Sequence, residues 1–157
     1  MNISSRLQPG DIGDIIKQHG TVYSKEYGYD CTFEAYVAEP LAQFAKRSNE
    51  RERIWLARCS GEIVGTICIC EVSTAEAQLR WFMVNPKARG RGLGKTLIDN
   101  AINFCLAKNY SKIILWTVAG LAASKSIYLN NGFELVHEEA CELWGQPQLE
   151  QCYEKHL

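Results

Sequence analysis

Val84-Asn85-Pro86-Lys87-Ala88-Arg89-Gly90-Arg91-Gly92-Leu93-Gly94-Lys95-Thr96 organises the reading of the whole chain. A strand-like run ends at Asn85-Pro86, three glycines alternate with longer residues, and a helical repeat opens at Leu93. Glycine lets the backbone take positive φ and approach a ligand closely. The first amides of the following helix have no partner within it and stand at the positive end of its dipole. Together these make an anion cradle suited to phosphate, flanked by Lys87, Arg89, Arg91 and Lys95 with no acid among them. A Walker A loop fails, because its first glycine would fall on Arg89. The dinucleotide fingerprint Gly-x-Gly-x-x-Gly fails from Gly90 at Lys95 and from Gly92 at Leu97. The pattern Arg/Gln-x-x-Gly-x-Gly/Ala is met by Arg89, Gly92 and Gly94. A glycine-rich turn with a solvated basic face is the bland alternative.

Outward from this turn, the hydrophobic period alternates between two and 3.6. Upstream lies a strand from Ala77 to Val84. Before it, Ile54–Cys59 and Ile63–Val72 flank Ser60-Gly61-Glu62 as a hairpin. Helical spacing covers Asp11 to about Lys25 and Cys31 to Lys46, with Pro40 expected to kink or split the second helix. A short strand is expected at Ile3–Leu7. Downstream come a helix from Leu93 to Lys108 and an apolar strand, Lys112–Thr117, expected to be buried on both faces. A helix from Leu121 to Asn130 follows, closed by Asn131-Gly132. Strands Phe133–Leu143 and about Leu149–His156 complete an α/β order with helices on the faces of a sheet.

The 157 residues correspond to one domain. Seventeen Lys and Arg against eighteen Asp and Glu give a net charge of −1. That balance argues against a general nucleic-acid binder, which needs surplus cations. No apolar run approaches ~18 residues, so no membrane span is expected. The N-terminal Met1 to Arg6 lacks the apolar core of a signal peptide. Seven cysteines in no framework read as reduced thiols in a cytoplasmic protein. Cys68 and Cys70 share a strand face, but no second Cys or His pair supports a metal site. They read, like Cys31 and Cys105, as buried small residues. From Glu134 onward six acids face one Lys, a solvated strand surface or a weak attractor of cationic amines.

The loop Arg89–Gly94, preceded by Val84-Asn85-Pro86, resembles the acyl-CoA pyrophosphate loop of the GCN5-related N-acetyltransferase (GNAT) family. Ser126-Ile127-Tyr128-Leu129-Asn130-Asn131-Gly132-Phe133 resembles the family's Tyr-x-x-x-Gly-Phe segment. His19-Gly20, Tyr23, Glu26-Tyr27-Gly28, Leu79-Arg80 and Leu115-Trp116-Thr117 are similar to acetyltransferase domains fused behind MarR-type regulators. No winged-helix region precedes them in this sequence, so DNA binding is not carried over. Leu121 and Ser124 depart from the Asn and Ala common at those positions, which puts a side-chain amide contact to CoA in doubt.

The resemblance implies a mixed, mostly antiparallel sheet of six to seven strands with helices on both faces. The sheet is splayed between the strands ending at Val84 and Thr117. It implies acetyl-CoA-dependent N-acetyl transfer to a primary amine in a ternary complex, with no metal and with homodimers common. The cofactor would be held by Arg89, Gly90, Arg91, Gly92, Leu93, Gly94, Lys95 and Ser124. Amides near Phe82, Met83 and Val84 would pair with the pantetheine arm and polarise the thioester carbonyl, such a donor being worth roughly 3 kcal/mol in a transition state. Tyr128 is the candidate general acid for the leaving thiolate, phenol and thiol titrating near ~10 and ~8.5. Glu76 or Glu26 is the candidate base, acting through water. His19, Tyr23, Glu26 and Tyr27, spaced i, i+4, i+7 and i+8, share a helix face that reads the acceptor or simply buries aromatics. The rival readings are a non-catalytic acyl-CoA sensor, which needs no acid at Tyr128, and a P-loop NTPase, which lacks its first glycine.

Overall fold

A computed structural model describes residues 1–157. Seven strands and four α-helices follow one another as β1 (Asn2–Ser4), α1 (Asp11–Tyr27), α2 (Cys31–Lys46), β2 (Arg53–Cys59), β3 (Glu62–Glu71), β4 (Glu76–Val84), α3 (Leu93–Ala107), β5 (Lys112–Val118), α4 (Ala122–Asn130), β6 (Glu134–Leu143) and β7 (Gln146–His156). The strands form one sheet in the order β1-β2-β3-β4-β5-β7-β6. Only the β4–β5 pair is parallel; the others are antiparallel.

Period-two alternation sorts the core. On β2 and β3, Trp55, Ala57, Ile67 and Ile69 face α3, joining Leu97, Ala101 and Phe104. Ile54, Leu56, Cys68 and Cys70 face the other way, onto Ile15, Phe33, Val37 and Leu41 of α1 and α2. Each central strand is therefore apolar on both sides. Two contiguous buried clusters, one per face, result.

Several expectations needed correction. Pro40 does not split α2, which runs from Cys31 to Lys46. The missing amide forfeits one helical bond, but buried Phe33 and Val37 before it and Leu41 and Phe44 after it anchor both halves to one cluster. β5 is not buried on both faces. Ile113 and Leu115 are covered, and Val118 is buried against the α1–α2 cluster, whereas Trp116 is 43% exposed in the lining of a cavity. β7 starts at Gln146, so it contains Pro147. Pro147 pairs with Glu142 of β6, while β5 first meets β7 at Glu150, so the proline sits at a local edge. Cys31 is exposed at the start of α2, as is Cys59. The acids Glu134, Glu138, Glu139 and Glu142 lie along the exposed β6.

β4 positions the site. It pairs with β5 only through Glu76, Ala77 and Gln78, opposite Lys112, Ile113 and Ile114. Beyond Gln78 the two strands part, leaving the expected wedge. Along β3, Thr66 pairs with Met83 and Cys68 with Arg80, so β4 carries one extra residue between these pairs. That bulge reverses the faces: Ala77 and Leu79 look toward α3, Trp81 looks toward α2, and Phe82 again looks toward α3. Trp81 pays with a left-handed φ of 48°, unfavourable for a bulky side chain. The buried Thr66 hydroxyl donates to the Trp81 carbonyl at 2.6 Å and pins the bulge.

Candidate functional site: two cavities that meet at the splayed strands

The wedge opens into two cavities. The larger, about 330 Å³, is bounded by the end of β4, the glycine-rich loop, the start of α3 and α4. The smaller, about 100 Å³, lies between α1, α2, β5 and the β6–β7 turn. Tyr23, Phe82, Leu121 and Ser124 line both, so they form the common wall.

The floor of the larger cavity has the geometry of an anion cradle. Gly90 and Gly92 take φ of 74° and 76°, a conformation that penalises any side chain. Gly92 caps α3 without a side-chain bond. The first helical bond runs from the Thr96 amide to the Gly92 carbonyl, so the amides of Leu93, Gly94 and Lys95 have no partner within the helix. Gly94 is needed for a second reason. A Cβ there would come within 3.0 Å of Ile127 and narrow the cavity. An unpaired helix N-terminus at the base of a cavity this size fits the pyrophosphate and arm of a CoA thioester.

Strand alternation decides which backbone groups enter the wedge. The Asn85 amide donates to Val64 of β3, so Val84, one residue earlier, directs its amide and carbonyl away from β3. Phe82, two residues further back, does the same. Met83 turns toward β3 opposite Thr66, which leaves Phe82 and Val84 as the strand donors and Met83 as a wall residue of the larger cavity.

Two of the flanking cations are already paired in the free protein. Arg89 donates from both terminal nitrogens to Glu26, at 2.7 and 3.1 Å, and from Nε to the Val84 carbonyl at 3.1 Å. These bonds hold its pKa above the ordinary guanidinium value. Arg89 thus ties α1 to the loop and to the end of β4. Lys95 reaches the cavity but its Nζ pairs with Asp99 one turn on. Arg91 is exposed and does not line the cavity.

Tyr128 lines the smaller cavity beside Phe82 of the common wall, 5% exposed, among the rings of Phe82, Phe133 and Tyr153 at about 6 Å. Burial drives its pKa up, with Ser124, one turn before it, acting in the opposite direction. The phenol therefore stays protonated across the working pH range. Leu121 precedes α4 without a side-chain cap, and there an apolar wall replaces an amide.

Glu76 is a correction. It lies at the closed end of the wedge, where β4 and β5 are still paired, and forms an ion pair with Lys112 at 3.0 Å. It lines neither cavity. The spread of strand β4 separates it from Phe82 and Val84, so it makes no direct contact with a group held there.

The expected α1 face divides between the two cavities. Glu26 and Tyr27 line the larger, His19 the smaller, and Tyr23 both. His19, Tyr23 and Tyr27 follow one another along the helix with ring centroids 6.1 and 5.7 Å apart. The smaller cavity contains aromatics that sequence reasoning missed. Trp144, at the β6–β7 turn, packs 4.8 Å from both Tyr29 and Phe33 and 5.5 Å from Tyr36. Trp144 and Gly145 are both left-handed, at φ 58° and 82°, as a two-residue hairpin turn requires. The Trp144 carbonyl accepts the Asp30 amide at 3.1 Å, which fastens this turn to the α1–α2 loop. The Trp144-Gly145 pair between two strand-like runs was the available signal. Its burial against α2 was not.

The family model described as the acetyltransferase (GNAT) family matches residues 20–133, from α1 through the glycine-rich loop to the end of α4. The chain belongs to the GNAT acetyltransferase family. Among curated GNAT-like relatives, N-acetylaspartate synthetase of Danio rerio is 29% identical over 110 residues, covering 69% of this chain and 38% of that protein. Mycothiol acetyltransferase of Beutenbergia cavernae is 26% identical over 82 residues, covering 51% of this chain and 28% of that protein. The chain thus spans well under half the length of these relatives. In fold it is similar to an acetyltransferase from Streptococcus agalactiae (TM-score 0.82, 22% identity, 99% of this chain and 98% of that one). It is also similar to yncA of Salmonella typhimurium, solved with its cofactor acetyl-CoA (TM-score 0.79, 14% identity, 99% and 93%).

Proposed function

We propose that the chain is an acetyl-CoA-dependent N-acetyltransferase acting on a primary amine by direct attack in a ternary complex. The observation that carries this reading is the meeting of two cavities at one splay. An anion cradle lies on one side and an aromatic chamber on the other, and a buried protonated phenol lines the chamber beside their common wall. Acetyl-CoA supplies the activated acetyl group when bound. The loop amides and the α3 N-terminus hold its phosphates, assisted by Arg89 and Lys95, the cations that line the larger cavity. Phe82 and Val84 present backbone groups to the arm, and the Val84 and Phe82 amides orient the carbonyl. Phe82, Leu121 and the α4 face exclude water.

Tyr128 holds a proton at its phenol oxygen for the leaving sulfur. An apolar site raises the proton affinity of any anion formed in it, as burial does for the Cys105 thiol, pushed up to about 12. The same burial that makes Tyr128 a weaker acid also makes a thiolate beside it a stronger base. The reading extends to a cytoplasmic setting for the seven free thiols, and to kinship with the MarR-fused acetyltransferase domains through the His19–Gly28 segment.

Calorimetric titration with acetyl-CoA tests the first half, with micromolar affinity expected. Amine-dependent release of CoA tests the second, and its absence in a protein that binds acetyl-CoA would leave a non-catalytic acyl-CoA sensor.

A further inference from the structure

His19 is buried, 3% exposed, in the wall of the aromatic cavity. Its Nδ1 lies 2.8 Å from the Ile15 carbonyl, one turn back along α1. A carbonyl only accepts, so Nδ1 carries the hydrogen and Nε2 keeps a lone pair. With Nδ1 turned back to its own helix, Nε2 points away from it. That nitrogen is buried and has no hydrogen-bond partner among the protein's own groups, an unusual state for a buried polar atom. Burial holds the ring's pKa down at about 4, so it is neutral. Tyr23 stacks parallel to the ring at 6.1 Å and fixes its plane.

An orphaned acceptor on a residue that lines a cavity is complementary to a ligand that brings a hydrogen. The body of that ligand is described by the walls. Tyr29, Phe33, Tyr36, Trp116 and Trp144 supply ring faces, and the charged groups on the lining are Arg80 and Glu150. Arg80 already lies over the Trp81 ring, 5.0 Å from its centroid. Glu150 can draw in an ammonium group before it loses its proton. The candidate bases do not compete for the amine: Glu26 is bound to Arg89 and Glu76 to Lys112.

We infer that His19 Nε2 accepts a hydrogen bond from the attacking nitrogen, and that the acceptor substrate is a primary amine on a flat apolar body, an arylalkylamine. This rests on the acetyltransferase reading and adds the substrate class and the residue that orients the amine. His19 takes no proton in this role. The bond to Nε2 fixes one N–H and so aims the nitrogen lone pair across the common wall of the two cavities.

The probe is 2-phenylethylamine, added to the protein carrying ¹⁵N-labelled imidazoles. The ring nitrogens of His19 are followed beside those of His156, which lies on an exposed strand position. The amine is expected to shift the unprotonated His19 nitrogen and leave the His156 ring in place. His19→Asn keeps a donor for the Ile15 carbonyl and loses Nε2, so KM for 2-phenylethylamine should rise about tenfold at unchanged acetyl-CoA affinity, a hydrogen bond's worth. His19→Gln puts an acceptor where Nε2 stood and should recover part of that loss. Spermidine and aspartate should show lower kcat/KM than 2-phenylethylamine. A silent His19 resonance, or a higher kcat/KM for spermidine or aspartate, in a protein that binds acetyl-CoA overturns this inference and leaves the acetyltransferase reading standing. Absence of acetyl-CoA binding overturns the reading itself, and this inference with it.

Discussion

Replacing Glu26 with Gln should tighten acetyl-CoA binding, although Glu26 is no basic residue and touches no phosphate. In the free protein the Arg89 fork is filled by the Glu26 carboxylate and the Val84 carbonyl. Any phosphate that engages Arg89 must compete with that carboxylate and also meet its negative charge. Two unit charges ~4 Å apart interact by about 4 kcal/mol at an effective dielectric of 20 and about 1 in bulk water. The Arg89 and Glu26 side chains are 43% and 24% exposed, so solvent screening places the net value near 1 kcal/mol. That corresponds to about a fivefold change in a binding constant. Glu26→Gln keeps the shape of the side chain and removes the charge, so Kd for acetyl-CoA should fall by about fivefold. The affinity should also depend more steeply on salt, because one more cation is free for phosphate. Calorimetry at low and high ionic strength reads both effects. In the Glu26→Gln, Arg89→Gln double variant the gain should vanish, since the freed cation is gone. An unchanged or weakened affinity in Glu26→Gln alone would refute the competition argument and make the pair a clamp that preorganises the loop.

Three further outcomes follow from the geometry. Tyr128→Phe should leave acetyl-CoA affinity intact and lower kcat by ~10²–10⁴, the range for a positioned general acid, with the loss persisting across pH 6–9 because burial keeps the phenol protonated; an unchanged kcat would remove Tyr128 from the chemistry. His19 has a folded pKa of about 4 against 6.5 when exposed, so below pH 6.5 the unfolded chain binds a proton that the folded one refuses. Stability is therefore whole above pH 6.5 and falls as pH drops toward 4, by about 2 kcal/mol at pH 5; urea unfolding of the wild type and His19→Asn at pH 7 and 5 should show the loss only in the former. Thr66→Val should cost about 1–3 kcal/mol by leaving the Trp81 carbonyl unpartnered, and should weaken the arm's binding to β4 as the bulge relaxes. Chemical unfolding and acetyl-CoA titration of that variant measure the two effects.

Much of this was legible in the chain itself, because it is written in local physics. Gly90, Gly92 and Gly94 mark a turn that only glycine tolerates, Asn85-Pro86 ends a strand, and Leu93 opens a helical period. These signals are carried by neighbouring residues, so they placed the cradle and the order of strands and helices. The period-two runs either side of Ser60-Gly61-Glu62 likewise marked the β2–β3 hairpin. Tertiary structure alone decided the rest, because it depends on which distant segments meet. The extra residue at Trp81 shows only as a register difference against β3, and without that register Ala77, Trp81 and Phe82 cannot be assigned to faces. Glu76 and Val84 belong to one strand, but only the partial pairing with β5 reveals that one is at the closed end and the other at the open end. Arg89 reads as a free cation until α1 brings Glu26 to it across 63 positions of sequence. Trp144 reads as a turn residue until that turn closes on Tyr29 and Phe33. Spacing along a chain fixes local conformation, whereas burial, pairing and charge compensation are properties of contacts between distant parts of the sequence.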